Sequence, residues 1–238
     1  MKKIVHAGIE AQAEAIAELI ADYVRENPTA LLCLAAGDTA TATYAKMAEM
    51  QSKGLVNFRE CRLVGLDEWA GLSETVVGSC KKYIVENVIV PLELKPENIV
   101  FFDACAEDLQ QECEIVNQYL KDNGPIDISL MGVGMNGHIA LNEPGCDFAA
   151  EAHTVELADT TKQVAVKYFH RQTPVTEGIT LGIKQIRDSK LLIVMANMER
   201  KREIMHAAMY GEVTNRVPAS YLQTHPNCIV SLDDAANS

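Results

Sequence analysis

Ile126-Asp127-Ile128-Ser129-Leu130-Met131-Gly132-Val133-Gly134-Met135-Asn136-Gly137-His138-Ile139-Ala140-Leu141-Asn142-Glu143-Pro144-Gly145 runs from a short apolar stretch into a segment crowded with glycine. An apolar run of this length, ended by turn residues, reads as a buried strand, Ile126 to Met131. Working outward, the same kind of run recurs at Lys3 to His6, Leu31 to Leu34, Arg62 to Leu66, Asn98 to Phe102, Leu191 to Met195 and Cys228 to Ser231. Stretches with helical spacing of apolar residues fall between them, at Ala11 to Arg25, Thr41 to Lys53, Ser79 to Val88, Ala106 to Lys121, Ile179 to Ile186 and Arg202 to Tyr210. Strands alternating with helices predict an α/β fold, a doubly wound, mostly parallel Rossmann-like sheet with helices on both faces. No repeat or linker divides the chain, so one domain over residues 1–238 is expected.

With 48% hydrophobic and 23% charged residues the chain can bury a large core, and it has no run of 18 apolar residues to span a bilayer. The formal net charge of −12 argues against a nucleic-acid surface, which needs clustered Lys and Arg. The seven cysteines, Cys33, Cys61, Cys80, Cys105, Cys113, Cys146 and Cys228, are odd in number and scattered, with no metal-type spacing, and read as reduced core thiols. The amino-terminal segment passes from two lysines into an acidic amphipathic helix without an apolar signal core. Together these features predict a soluble, cytoplasmic protein.

In such folds the loops that leave the carboxyl ends of the strands converge on the ligand crevice. Three of them carry unusual chemistry. Ala36-Gly37-Asp38-Thr39 lies between the strand ending at Leu34 and the helix near Thr41, where backbone N–H groups and a hydroxyl can meet a phosphate. The same residues also suit an ordinary helix cap, and Asp38 counts against an anion unless it turns away. Asp67-Glu68-Trp69 follows an apolar strand. It is either a solvated turn or a site where burial raises the pKa of Asp67 enough for general-base work. The glycine-rich segment places His138 near Glu143, and a histidine paired with a carboxylate makes a proton shuttle tunable around neutrality. Gly132-Val133-Gly134-Met135-Asn136-Gly137 has the glycine spacing of a dinucleotide fingerprint, but no helix pattern follows it, as that motif requires.

LAAGDTATATY, VGLDEWAGL, MGVGMNGHIALNEPG and VPASYLQTHPN together resemble the glucosamine-6-phosphate deaminase family, in order and spacing, over nearly the whole chain. LDEW, the Asn before Gly-His and TPVTEGITLG look closest to the galactosamine-6-phosphate isomerase branch. The resemblance implies an isomerase-deaminase that converts a hexosamine 6-phosphate to a ketose 6-phosphate and ammonia. In that scheme Asp67 carries a proton between C2 and C1, while His138, partnered by Glu143, opens the ring. The position two before the histidine, usually Asp, is Asn136 here, an amide that can orient the imidazole but lends no charge to an imidazolium. The family's phosphate contacts fall on Gly37, Asp38 and Thr39, on Lys167 where an Arg is usual, and on Lys201, with Arg200 as the other alignment. Lysine at 167 keeps the charge and loses the planar fork.

Nothing in this chemistry asks for a metal or an organic cofactor. The expected partner is a small sugar phosphate, with no nucleic acid and no membrane. The family ranges from monomers to hexamers, which leaves a homo-oligomer open. A 6-phosphogluconolactonase-like hydrolase and a non-catalytic sugar-phosphate sensor are the competing readings. The lactonase loop typically continues Ser-Leu-Phe-Pro after its histidine, where this chain has Leu141-Asn142-Glu143-Pro144.

Overall fold

The structure is a computed structural model that describes residues 1–166, 169 and 175–237. Its main layer is a seven-stranded sheet formed by β1 (Lys2–His6), β2 (Leu31–Leu34), β3 (Arg62–Val64), β5 (Ile99–Val100), β6 (Ile128–Met131), β9 (Leu191–Ala196) and β10 (Cys228–Asp233). The strands run in the order β1-β10-β9-β6-β2-β3-β5, every pairing parallel. A parallel sheet must be covered on both faces, which is why its central strands are continuous apolar runs rather than alternating ones. Successive side chains point to opposite faces, so Leu31 and Cys33 enter one core, while Leu32 and Leu34 enter the other.

Helices α1 (Gly8–Glu26) and α2 (Thr41–Ser52) cover one face, together with α3 (Cys80–Ile84), which runs on into a π-helical turn, Val85–Ile89. On α1 the residues Ala13, Ile16, Ala17, Ile20 and Val24 form the buried stripe, and each fully buried Ile contributes roughly 1.5–3 kcal/mol. The other face takes α4 (Leu109–Asn123), α6 (Ile183–Arg187) and α7 (Arg202–Tyr210). The doubly wound α/β architecture expected from the sequence is therefore present.

A second sheet of three antiparallel strands sits beside the first, in the order β4 (Asp67–Trp69), β8 (Glu177–Thr180), β7 (His153–Glu156). Trp69, Leu72, Leu141, Leu157, Ala165 and Phe169 form a separate small core there. This sheet corrects the expected helix over Ile179–Ile186: its first two residues pair with β7 and β4, and the helix begins only at Ile183. The expected start of α4 moves from Ala106 to Leu109, because Asp108 caps it by accepting a hydrogen bond from Gln111 N at 3.0 Å. Two more helices among the described residues are α5 (Asp159–Ala165) and α8 (Asp234–Asn237).

The cysteines also need a correction. All seven are free, but only Cys33, Cys61, Cys113 and Cys228 are buried, and Cys105 is exposed. Among the described residues no helix is long and apolar enough to cross a membrane.

Candidate active site

After β2 the chain moves outward to β3 across the face that α2 covers; after β6 it moves the other way, to β9, on the face that α6 covers. Adjacent strands whose connections diverge leave a crevice at their carboxyl ends, the usual ligand position of such sheets. A cleft of about 510 Å³ opens at that point. Gly37, Asp38, Thr39, Asp67, Asn136, His138, Arg200 and Lys201 all line it, so the three sequence-selected loops converge as expected. Glu143 stands behind His138, 6% exposed. Lys167 lies outside the described residues.

Asp67 and Glu68 are adjacent in sequence and opposite in use. Glu68, 2% exposed, accepts hydrogen bonds from Ser79 Oγ at 2.7 Å and from the backbone N–H groups of Cys80 at 2.9 Å and Lys81 at 2.8 Å. It is thus spent on the first turn of α3, whose orphan donors it satisfies. Asp67 opens β4 opposite Thr180 and faces the cleft. Burial, and then the negative charge of Glu68, push its carboxyl up to about 7, with a hydrogen bond from Cys80 offsetting part of the rise. Burial beside the two carboxylates pushes the Cys80 thiol well up, so it stays an S–H donor.

His138 lies flat over Gly134: a Cβ there would fall 2.3 Å from its Nε2, so only glycine leaves room for the ring. Around it, Asn136 is held in one orientation. The backbone N–H of His138 donates to Asn136 Oδ1 at 3.2 Å, which turns the amide nitrogen toward Glu143 Oε2 at 2.8 Å and Thr160 Oγ at 3.1 Å. Glu143 also accepts from Ala158 N at 3.2 Å. His138 Nδ1 stands 3.5 Å from Glu143 Oε2 and 3.2 Å from Thr161 Oγ. Burial works to raise the Glu143 carboxyl, but the hydrogen bonds from His138 and Thr161, the His138 charge and the Asn136 amide outweigh it and bring the group down to about 2.

Two further turns reach the same cleft. Gly37 has φ 141° and ψ 162°, a conformation open to glycine alone, and the 3-10 turn Asp38–Ala40 leads from it into α2. Tyr83 donates to Gly37 O at 3.0 Å and holds the turn. Past β9, Met198 adopts φ 71°, with its N–H held by both carboxylate oxygens of Asp233 at 3.2 and 3.1 Å, and the chain then presents Arg200 and Lys201 to the cleft. Lys201 donates from Nζ to Val133 O, tying this turn to the glycine-rich loop. Both alignments of the late basic residue therefore reach the same cavity.

Sequence reading passed over Thr160, Thr161, Lys82 and Cys80, which also line the cleft. The threonines head α5, where hydroxyl residues look like ordinary helix-start residues. Only the neighbouring histidine loop gives them another meaning.

The profile of a family described as Glucosamine-6-phosphate isomerases/6-phosphogluconolactonase matches residues 6–230. A glucosamine-6-phosphate deaminase of Geobacillus sp. (strain WCH70) is 35% identical over 239 residues, covering 100% of this chain and 95% of the relative. Another, from Lachnoclostridium phytofermentans (strain ATCC 700394 / DSM 18823 / ISDg), is 36% identical over 215 residues, covering 90% and 91%. A solved structure of a monomeric glucosamine-6-phosphate deaminase superposes with a TM-score of 0.96 at 31% identity, covering 99% of this chain and 98% of that one. The 6-phosphogluconolactonase of Trypanosoma brucei, at 18% identity and a TM-score of 0.80, covering 99% and 97%, shares the fold. Profile, relatives and backbone thus agree along almost the full length: the chain belongs to the family of glucosamine-6-phosphate isomerases and 6-phosphogluconolactonases.

Proposed function

We propose that this protein is an isomerase-deaminase of hexosamine 6-phosphates, releasing ammonia and a ketose 6-phosphate. The observation that carries the reading is one shared cavity lined by Asp67, whose carboxyl burial pushes up to about 7, by the carboxylate-backed imidazole of His138, and by the glycine turn at Gly37 with Arg200 and Lys201.

The sugar enters with its phosphate toward Gly37, Thr39, Arg200 and Lys201, and Lys167 is assigned to the same anion from the family resemblance. In this pose Asp38 turns its carboxylate away from the anion. Phosphate held far from the reacting carbons supplies orientation, which turns binding energy into rate. His138 takes the O1 proton and delivers one to the ring oxygen, with Glu143 compensating the transient imidazolium and Asn136 fixing the loop. Asp67 removes the C2 proton, acidified by the new C1 aldehyde, and returns it to C1. The resulting 2-imino sugar takes up water and releases ammonia.

Residues 1–238 act as one catalytic unit in this reading. The parallel pairing of β1 with β10, which brings the two ends of the chain into one sheet, supports it. A single chain suffices for the acid-base group, since Asp67, Asn136, His138 and Glu143 all belong to it, and the high similarity to a monomeric deaminase supports the same view. A cytoplasmic location fits free thiols and sugar-phosphate chemistry.

The epimer preference is assigned to galactosamine 6-phosphate on the LDEW, Asn-Gly-His and TPVTEGITLG segments, with glucosamine 6-phosphate as the second substrate. The test is ammonia release measured with the two substrates side by side. Turnover of either, with a higher kcat/KM for the galacto epimer, is expected. Hydrolysis of a phosphogluconolactone without ammonia would place the protein with the lactonases, and binding without turnover would make it a sensor.

A further inference from the structure

The contact between His138 and Glu143 is incomplete. At 3.5 Å the two stand at the long limit of a hydrogen bond, and Glu143 Oε2 is already engaged by the Asn136 amide at 2.8 Å. The nearer polar atom to His138 Nδ1 is the hydroxyl of Thr161, at 3.2 Å, on a residue that is 4% exposed and anchored in the first turns of α5. That hydroxyl is also among the groups that hold the Glu143 carboxyl down. A threonine hydroxyl has one hydrogen to give and lone pairs to receive. An ionised carboxylate can only accept, and the imidazole's nearer partner is the hydroxyl, so the arrangement that uses the shorter contact has Thr161 O–H donating to Glu143 and His138 Nδ1–H donating to Thr161 Oγ.

We propose that Thr161 is a positioning residue of the ring-opening group, a hydroxyl bridge that fixes the hydrogen of His138 on Nδ1 and leaves Nε2 free to take a proton. The same bridge passes the charge of Glu143 to the imidazolium when Nε2 is protonated. No oxidant, metal or additional proton is needed: one hydrogen goes from O1 to Nε2, one goes from the imidazolium to the ring oxygen, and the Nδ1 hydrogen stays in place throughout. The neighbouring Thr160 works beside it by accepting from the Asn136 amide at 3.1 Å. The first turn of α5 is therefore the frame on which histidine, amide and carboxylate are hung. This inference rests on the isomerase-deaminase reading for its kinetic consequence and on geometry alone for the tautomer.

The experiment compares T161V, which removes the hydroxyl at nearly constant shape, with T161S, which keeps it. Nitrogen-15 spectra of the imidazole are recorded for each variant, and kcat and KM are measured with the hexosamine phosphate that the wild type turns over. In the wild type and in T161S the hydrogen of neutral His138 is expected on Nδ1. In T161V the two tautomers mix, kcat falls by about tenfold or more, and KM stays within about twofold. T161S recovers most of kcat. An unchanged Nδ1 tautomer in T161V, or equal losses in T161S and T161V, overturns the proposal, the second by showing that packing rather than the hydroxyl matters. A wild type with no ammonia release overturns the isomerase-deaminase reading instead, while the spectra still decide the tautomer.

Discussion

The carboxyl of Asp67 sits where a stability optimum would not put it. Its folded pKa of about 7 lies above the ordinary value of 3.8, so from pH 3.8 upward the unfolded chain sheds this proton while the folded one keeps it. Stability from this group consequently declines as pH rises through that window and levels off above 7. Asp67→Asn is expected to unfold at a higher temperature than wild type at pH 7.5, by on the order of 1–3 kcal/mol in stability, and at the same temperature near pH 3.5. Ammonia release should fall by about a hundredfold or more, while sugar phosphate still binds. In the wild type, kcat/KM should climb on its acid side with a midpoint near 7, the titration of this group. Thermal melts at the two pH values, set beside the pH profile, check all of this. Unaltered turnover in the Asp67→Asn variant would remove Asp67 from the chemistry.

At the scale of elements, the deciding partnership is between β4 and α3. α3 is only five residues long and its first turn is held by Glu68. Replacing Glu68 with Ala leaves Ser79 Oγ and the backbone N–H groups of Trp69, Cys80 and Lys81 without their acceptor, a cost of about 2–4 kcal/mol. The variant should show faster hydrogen exchange over residues 80–84 and reduced activity. Assayed at a temperature where it stays folded, it should regain most of that activity, which Asp67→Asn should not. The large elements were legible in the sequence because the central strands, Leu31–Leu34, Ile128–Met131 and Leu191–Ala196, are buried on both faces and read as apolar runs. The small sheet was not legible. Its strands, Asp67–Trp69, His153–Glu156 and Glu177–Thr180, are three or four residues long and begin or end on charged residues, so no period of two develops. Their pairing comes from packing Trp69, Leu141 and Leu157 together, which no local pattern reveals. The site followed the same division. Asp67, His138 and Glu143 stood out by residue type at strand ends, whereas Thr161 and Cys80 matter only through distance to groups far away in sequence.

For the molecule as a whole, the two ends of the parallel sheet have different duties. The carboxyl ends carry the cleft. At the amino ends, Asp127 accepts from Leu31 N at 2.7 Å, from Tyr23 Oη at 3.0 Å and from Lys190 Nζ at 2.7 Å, fastening α1, β2 and the entry to β9 onto β6. Burial works against the Asp127 carboxylate, but the hydrogen bonds from Lys190, Leu31 and Tyr23 and the Lys190 charge prevail and hold its pKa below the usual 3.8. The stabilisation is therefore complete at neutral pH and is lost on acidification below about 3.8. Asp127→Asn should lower stability at pH 7 by about 1–3 kcal/mol, with kcat and KM unchanged and the deficit shrinking toward pH 2. Urea melts at several pH values measure it, and a loss of turnover in this variant would contradict the separation. That separation offers a practical route for anyone who wants a heat-tolerant version for biocatalysis. Substitutions can be screened along the rim around Tyr23, Asp127 and Lys190 for melting temperature alone, without putting substrate handling at risk.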